Sequence, residues 1–241
     1  ILKNCDNLAP DTFSKGIEIN GIRQTPFSIA IRNNKRNIAD IILSFINDPA
    51  EVEKEMSNLA IWAIVDDNPA LLEIYFEYGI GHKDGTVDNS QYTLLEMAII
   101  GTHDPETVEP KGCRIKCLEY LISLWKRLKI SFEIEHGNVR GSILGLLQAD
   151  DIDSFILLVK DGGVDPNSPI IEYEFNEIGR VIRVHSTTFL NMIIAQGATD
   201  LVPIAIRHGA DPRLVDDEGE NAISVAELVG NEKALNYLQS L

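Results

Sequence analysis

The chain has 241 residues, 44% hydrophobic, with 21 Lys and Arg against 37 Asp and Glu, a formal net charge of -16. Such a surface repels nucleic-acid phosphates and anionic membranes, and it steers basic partners toward itself. No apolar run approaches the roughly 18 residues of a membrane span. Cys5, Cys113 and Cys117 form no disulfide framework, which favours a reducing compartment.

The chain opens with Ile1 rather than Met and lacks a basic-then-apolar signal stretch, so it is expected to be an excised or processed piece. Residues 1–19 read as an N-terminal lead-in. Thr25-Pro26-Phe27-Ser28-Ile29-Ala30 then opens the first clear unit. Thr suits an N-cap and Pro the first helical position. Ile38, Ile41, Ile42 and Phe45 predict the buried stripe of a second helix.

The opening slot recurs at Asn58, Thr93, Ser142, Thr188 and Asn221, all with a side-chain oxygen able to cap a helix. The spacings are 33, 35, 49, 46 and 33 residues. A glycine falls 19 residues after each of Ala60, Leu144 and Leu190, at Gly79, Gly163 and Gly209. In the second unit Asn68-Pro69 restarts the chain, and Leu71, Leu72, Tyr75 and Phe76 predict a buried face. The third unit has Leu94, Leu95, Met97 and Ala98, a polar insertion from Thr102 to Gly112, and a long helix from Cys113 to Leu128.

After the fourth unit, Ile171, Tyr173 and Phe175 alternate with Glu172 and Glu174, and residues 180–185 alternate again. This pattern predicts a β-hairpin. A four-residue turn at 176–179 would set Glu172 against Arg183 and Tyr173 against Ile182, with Ile171, Tyr173, Phe175, Ile182 and Val184 on one apolar face. The clearest unit runs from Thr188 to Pro212: a helix, a break at Gly197, a second helix that Thr199 can cap, Pro203 in its first turn and an exit at Gly209. In the last unit Ala234, Leu235 and Leu238 face inward, while Glu227, Glu232 and Lys233 are solvated.

Residues 25–30 (TPFSIA), with the later segments DGGVDPN, RHGADP and DDEGENAISVA, resemble ankyrin repeats. The resemblance covers roughly residues 20–241. It departs from the family pattern in its histidine slot, which holds Ser28, Ile61, Glu96, Gly145, Asn191 and Ser224. It implies an all-α ankyrin-repeat solenoid of about six helix-turn-helix units. These lie near residues 20–53, 54–88, 89–137, 138–170, 184–215 and 216–241, with a hairpin inserted at 168–186. The irregularity is similar to that of ankyrin modules in effector proteins that intracellular bacteria deliver into host cells. That setting stands beside an ordinary cytoplasmic one.

No catalytic constellation emerges. Cys113 and Cys117, four apart with His103 upstream, lack a fourth zinc ligand and read as buried thiols. His82, Asp84 and Asp88 read as a solvated loop. No phosphate-cradling glycine loop or serine-nucleophile motif is present. Trp62 and Trp125 read as core, and the basic run from Lys111 to Lys129 as a solvated helix face.

What the resemblance implies is a protein-binding scaffold: a monomer that is no enzyme, needs no cofactor or metal, and binds a protein with a basic patch. The alternative is the recognition module of a larger enzyme or effector. The contact positions it implies are Gln24, Arg32 and Asn33 in the first unit, Val65 and Asp66 in the second, and Tyr92 and Ile100 in the third. Later ones are Asp150, His185, Asp217, Glu218, Glu220 and Leu228. Tyr92, Tyr173 and Phe175 are the expected aromatic anchors.

Overall fold

The computed structural model describes residues 16–19, 22–46, 48–78, 93–100, 114–129, 134–136, 139–141, 143–147, 151–175 and 180–241. The chain divides into two compact units, Ile1–Tyr120 and Leu121–Leu241. The described residues are mostly helical, with three two-stranded antiparallel sheets.

In the first unit, β1 (Ile17–Ile19) pairs with β2 (Ile22–Gln24). Thr25 follows at once and caps α1 (Pro26–Arg32). Its hydroxyl accepts from the Ser28 N–H at 3.2 Å, and Ser28 Oγ accepts from the Thr25 N–H at 2.9 Å. Pro26 costs nothing at the first helical position, because its missing N–H would have no partner there. After α2 (Arg36–Phe45) comes α3 (Pro49–Val65), capped by Asp48, then α4 (Pro69–Glu77), capped by Asn68. Thr93 opens α5 (Leu94–Ile100), where the Glu96 carboxylate accepts from the Thr93 N–H at 2.7 Å and the Glu96 N–H donates to Thr93 Oγ1. Next comes α6 (Ile115–Leu128).

Two expectations are corrected here. Asn58 does not open a helix but lies in the middle of α3, which starts at Pro49. Asp48-Pro49 is as good a cap pair as Asn68-Pro69, and it wins. On α2, Ala39 and Ile42 are buried, whereas Ile38, Ile41 and Phe45 are exposed. The core instead comes from residues such as Phe27, Ile31, Met56, Leu59, Leu72, Tyr75, Leu94 and Ile99. First helices pack in sequence, α1 on α3 and α3 on α5.

In the second unit, Leu121, Ile122, Leu124 and Trp125 of α6 are buried. The hairpin of β3 (Ile134–His136) and β4 (Val139–Gly141) precedes a single 3-10 turn, Ile143–Leu146, where a full helix was expected. Gly145 allows that turn to lie close to the next strand. A Cβ there would come within 3.0 Å of Ile170 Cγ2. Then α7 (Ile152–Ile156) widens into a π-helical stretch, Leu157–Gly162, and Gly163 closes it with a left-handed φ of 77°. Phe155 stacks on Phe189 with ring centroids 4.7 Å apart.

The predicted hairpin forms from β5 (Ile170–Phe175) and β6 (Val181–Thr187). Its register differs from the expected one by two residues. Tyr173 sits opposite Val184 and Glu174 opposite Arg183, with an irregularity between Glu174 and Phe175. A slip of two keeps every side chain on its original face, which the period of a strand requires.

Thr188 caps α8 (Phe189–Ala195), accepting from the Asn191 N–H at 3.1 Å. Thr199 does not cap α9 (Leu201–Arg207). Its hydroxyl donates to Asn231 Oδ1 at 3.2 Å instead. Asn221 caps α10 (Ala222–Leu228) in a reciprocal box with Ser224, and Asn231 caps α11 (Glu232–Gln239). In α11 Ala234 and Leu238 are buried, Leu235 is half-buried, and Glu232 and Lys233 are exposed. The 3-10 turn packs on α8, and α8 on α10.

One turn recurs in both units. After α1, the Asn34 N–H donates to Ile31 O and the Lys35 N–H to Ala30 O. The same pair of bonds follows α3 (Asp67 to Ile64, Asn68 to Ala63), α8 (Gly197 to Ile194, Ala198 to Ile193) and α10 (Gly230 to Glu227, Asn231 to Ala226). The left-handed residue is Asn34, Asp67, Gly197 or Gly230, with φ of 57°, 46°, 79° and 69°. This is the Schellman closure of a helix. From Asn34 to Asp67, and from Gly197 to Gly230, the interval is 33 residues.

Candidate protein-binding surface

The expected contact positions fall on one recurring feature, the end of each first helix. Arg32, Val65, Ile100 and Leu228 are the last helical residues of α1, α3, α5 and α10, and Asn33 and Asp66 are the C-cap residues that follow. In the first unit Arg32 donates to the Asp66 carboxylate at 2.8 Å and lies over the Trp62 ring, 4.0 Å from its centroid. Trp62 is buried, as expected, and its face anchors the cation. Asn33 donates through Nδ2 to Ile29 O at 2.8 Å. Gln24 is half-buried at the end of β2. Beside this row, Tyr78 donates to Asp40 at 2.5 Å, and burial followed by that bond pushes its hydroxyl up to about 12.

In the second unit Leu228 is 79% exposed. The equivalent end of α8 is Ala195 with Gln196, both exposed. Sequence reasoning named neither, although the 33-residue interval back from Leu228 points straight to Ala195. The remaining acidic positions gather in the loop before α10. Asp216 organises that loop, accepting from the Glu218 and Glu220 N–H groups at 3.0 and 2.9 Å and from Asn191 Nδ2 at 3.0 Å. The Glu220 carbonyl accepts from Asn191 and from the Asp216 N–H. Asp217 and Glu218 are exposed and reach β6, where Asp217 bonds Ser186 and Glu218 pairs with Arg183. His185 lies half-buried on β6 opposite Glu172. The structure therefore brings His185, Asp217 and Glu218 into one neighbourhood. In the loop after α9, the Arg213 guanidinium holds the Asp211 carboxyl below the usual carboxylate range.

Tyr92 and Asp150 lie outside the described residues, as do Cys5, His82, Asp84, Asp88, His103 and Cys113. Tyr173 and Phe175 occupy β5, but their side chains lie outside the described set. Cys117 is buried, its sulfur donates to Ala63 O at 3.3 Å, and burial with the nearby Asp67 carboxylate pushes its thiol up to about 12. A thiol held protonated is neither nucleophile nor metal ligand. Among the described residues no group of acidic, His and Cys side chains could hold a metal ion, and no helix is long and apolar enough to cross a membrane.

The chain matches no family model and no curated protein sequence.

Proposed function

We propose that the chain is a divergent ankyrin-type repeat array that binds another protein through its first-helix ends and the hairpins and loops beside them. The observation that supports this reading is the recurrence of one device. A capped first helix, usually of seven residues, ends in the same Schellman turn at 33-residue intervals, and residues with no shared chemistry stand at its last position: Arg32, Val65, Ala195 and Leu228. Units held to that geometry present side chains that need not be ordered on binding, which limits the entropic cost of association. Asp217, Glu218 and the overall charge of -16 favour a partner presenting Lys or Arg. Binding alone is the activity, without a cofactor, by a monomer in the cytoplasm of its own or of a host cell.

The test is capture of partners from a lysate by the full chain and by a variant carrying Arg32→Ala, Asp66→Ala and Leu228→Glu. A partner held by the wild type, released by the variant and weakened by salt supports the reading. Equal capture by a variant with an unchanged circular dichroism spectrum overturns it.

A further inference from the structure

One edge of the β5–β6 hairpin already receives a neighbour. The Ser186 N–H donates to the Asp217 carboxylate at 2.9 Å, and the Ser186 carbonyl accepts from the Asp217 N–H at 3.1 Å. The N–H and C=O of one strand residue point to the same side, so those of Ser186 point away from β5. The pairing is regular from Ile171–Ser186 to Glu174–Arg183. Alternation therefore turns the N–H and C=O of Val184 to that same outer edge. Among the described residues nothing is bonded to them there. Asp217 thus fills the first rung of a third strand and leaves the next rung open.

The side chains along this rung are apolar and exposed, Val184 by 54% and Ile182 by 63%. The irregularity opposite Phe175 limits the regular edge beyond Arg183. Edges left open in this way are templates for another strand. A second copy of this chain would bring two charges of -16 together, with Asp217 and Glu218 of each copy at the junction. A segment carrying Lys or Arg meets attraction at the same place.

We propose that the outer edge of β6 takes up an extended segment of a partner protein in which apolar residues alternate with Lys or Arg. Its backbone exchanges two hydrogen bonds with Val184, its apolar residues cover Val184 and Ile182, and its cations face Asp217 and Glu218. This deepens the protein-binding reading above and rests on it.

The probe is a short fluorescent peptide of alternating lysine and valine, added to the full chain at low salt. Binding is read by anisotropy, and the Val184 amide by hydrogen exchange. The expected result is measurable binding, an exchange rate at Val184 slowed at least about tenfold, and little binding of a glutamate–valine peptide. Val184→Pro deletes the outward N–H and spares the inward ladder, so it should weaken binding about five- to tenfold. Val184→Lys, which retains a strand-compatible backbone and repels the probe, should weaken it too. Unchanged exchange at Val184, or wild-type affinity in both variants, overturns the proposal. Self-association seen by sedimentation and abolished by Val184→Pro also overturns it, since the edge then belongs to a second copy. If a lysate partner is still released by Leu228→Glu while the peptide fails to bind, the edge proposal falls and the protein-binding reading stands.

Discussion

Replacing Gly197 and Gly230 by alanine isolates the backbone of the recurring turn. Both glycines hold left-handed φ angles, 79° and 69°, and nothing lies within 4 Å of a Cβ built at either. The substitution therefore adds no clash, and its cost is conformational. An L-residue in the left-handed region loses roughly 1–2 kcal/mol. Alanine regains about 0.5 kcal/mol by restricting the unfolded chain. The net loss is about 1 kcal/mol at each site, or about 2–4 °C in Tm for a chain of this size. Because each glycine N–H closes the same turn, at 3.1 and 3.2 Å, the two losses should agree. Asparagine at either site should cost less than alanine, since Asn tolerates this conformation and Asn34 adopts it here. Urea denaturation followed by circular dichroism measures all four variants. A loss of several kcal/mol at one glycine with none at the other would show that the two turns are not equivalent, and the repeat argument would fail with them.

Thr188→Ala removes a helix cap and should cost about 1 kcal/mol in urea denaturation. Thr25→Ala should cost more, about 2 kcal/mol or above, because Thr25 is fully buried and also donates to the buried Glu55 carboxylate. Arg32→Ala removes both the Asp66 pair and the contact with Trp62, and should cost about 1 kcal/mol, with a change in tryptophan fluorescence. Cys117 should resist iodoacetamide at pH 8 in the native protein and react once it is unfolded, as read by mass spectrometry of its peptide. The folded pKa values of Cys117 and Tyr78 are raised above 9 and 10, each to about 12. Their contribution to stability is therefore complete below about pH 9 and is lost as pH rises toward 12. A denaturation midpoint constant across that window would contradict both placements.

The elements that could be read from the sequence are those whose signal is local. Thr25, Thr93, Thr188 and Asn221 combine a cap with an apolar run, and the helices begin there. Asn58 failed because it was placed by period, while the competing local signal, Asp48-Pro49, lay ten residues upstream. Two hairpins went unnoticed although their turns were written in the chain. Asn20-Gly21 separates β1 from β2, and Gly137-Asn138 separates β3 from β4, both strong two-residue hairpin signals. The two-residue slip in β5–β6 is of another kind. Alternation specifies which face a residue takes, whereas the register depends on turn length and on the irregularity beside Phe175, which no pattern of apolar residues encodes. The exposure of Ile38 and Ile41 was hidden for a similar reason. A helical stripe shows that a face is apolar, not that anything covers it.

The candidate site was legible only to the extent that position could stand in for chemistry. Contact residues in the first unit were located by where a helix ends, and Arg32 and Asp66 do meet at such ends. Their pairing and the cation over Trp62 needed the tertiary structure, because the residues are 34 and 30 positions apart. The turn that follows accepts only residues able to adopt a left-handed φ, so Asn, Asp and Gly fill it. The helical position just before the C-cap has no such requirement, and arginine, valine, isoleucine, alanine and leucine all occupy it. Folding therefore constrains the turn and leaves the neighbouring side chain open to selection by a partner. If that division holds, exchanging Leu228 for Arg should leave urea stability within about 0.5 kcal/mol while altering which proteins are captured. A large loss of stability would place Leu228 in the fold rather than at an interface.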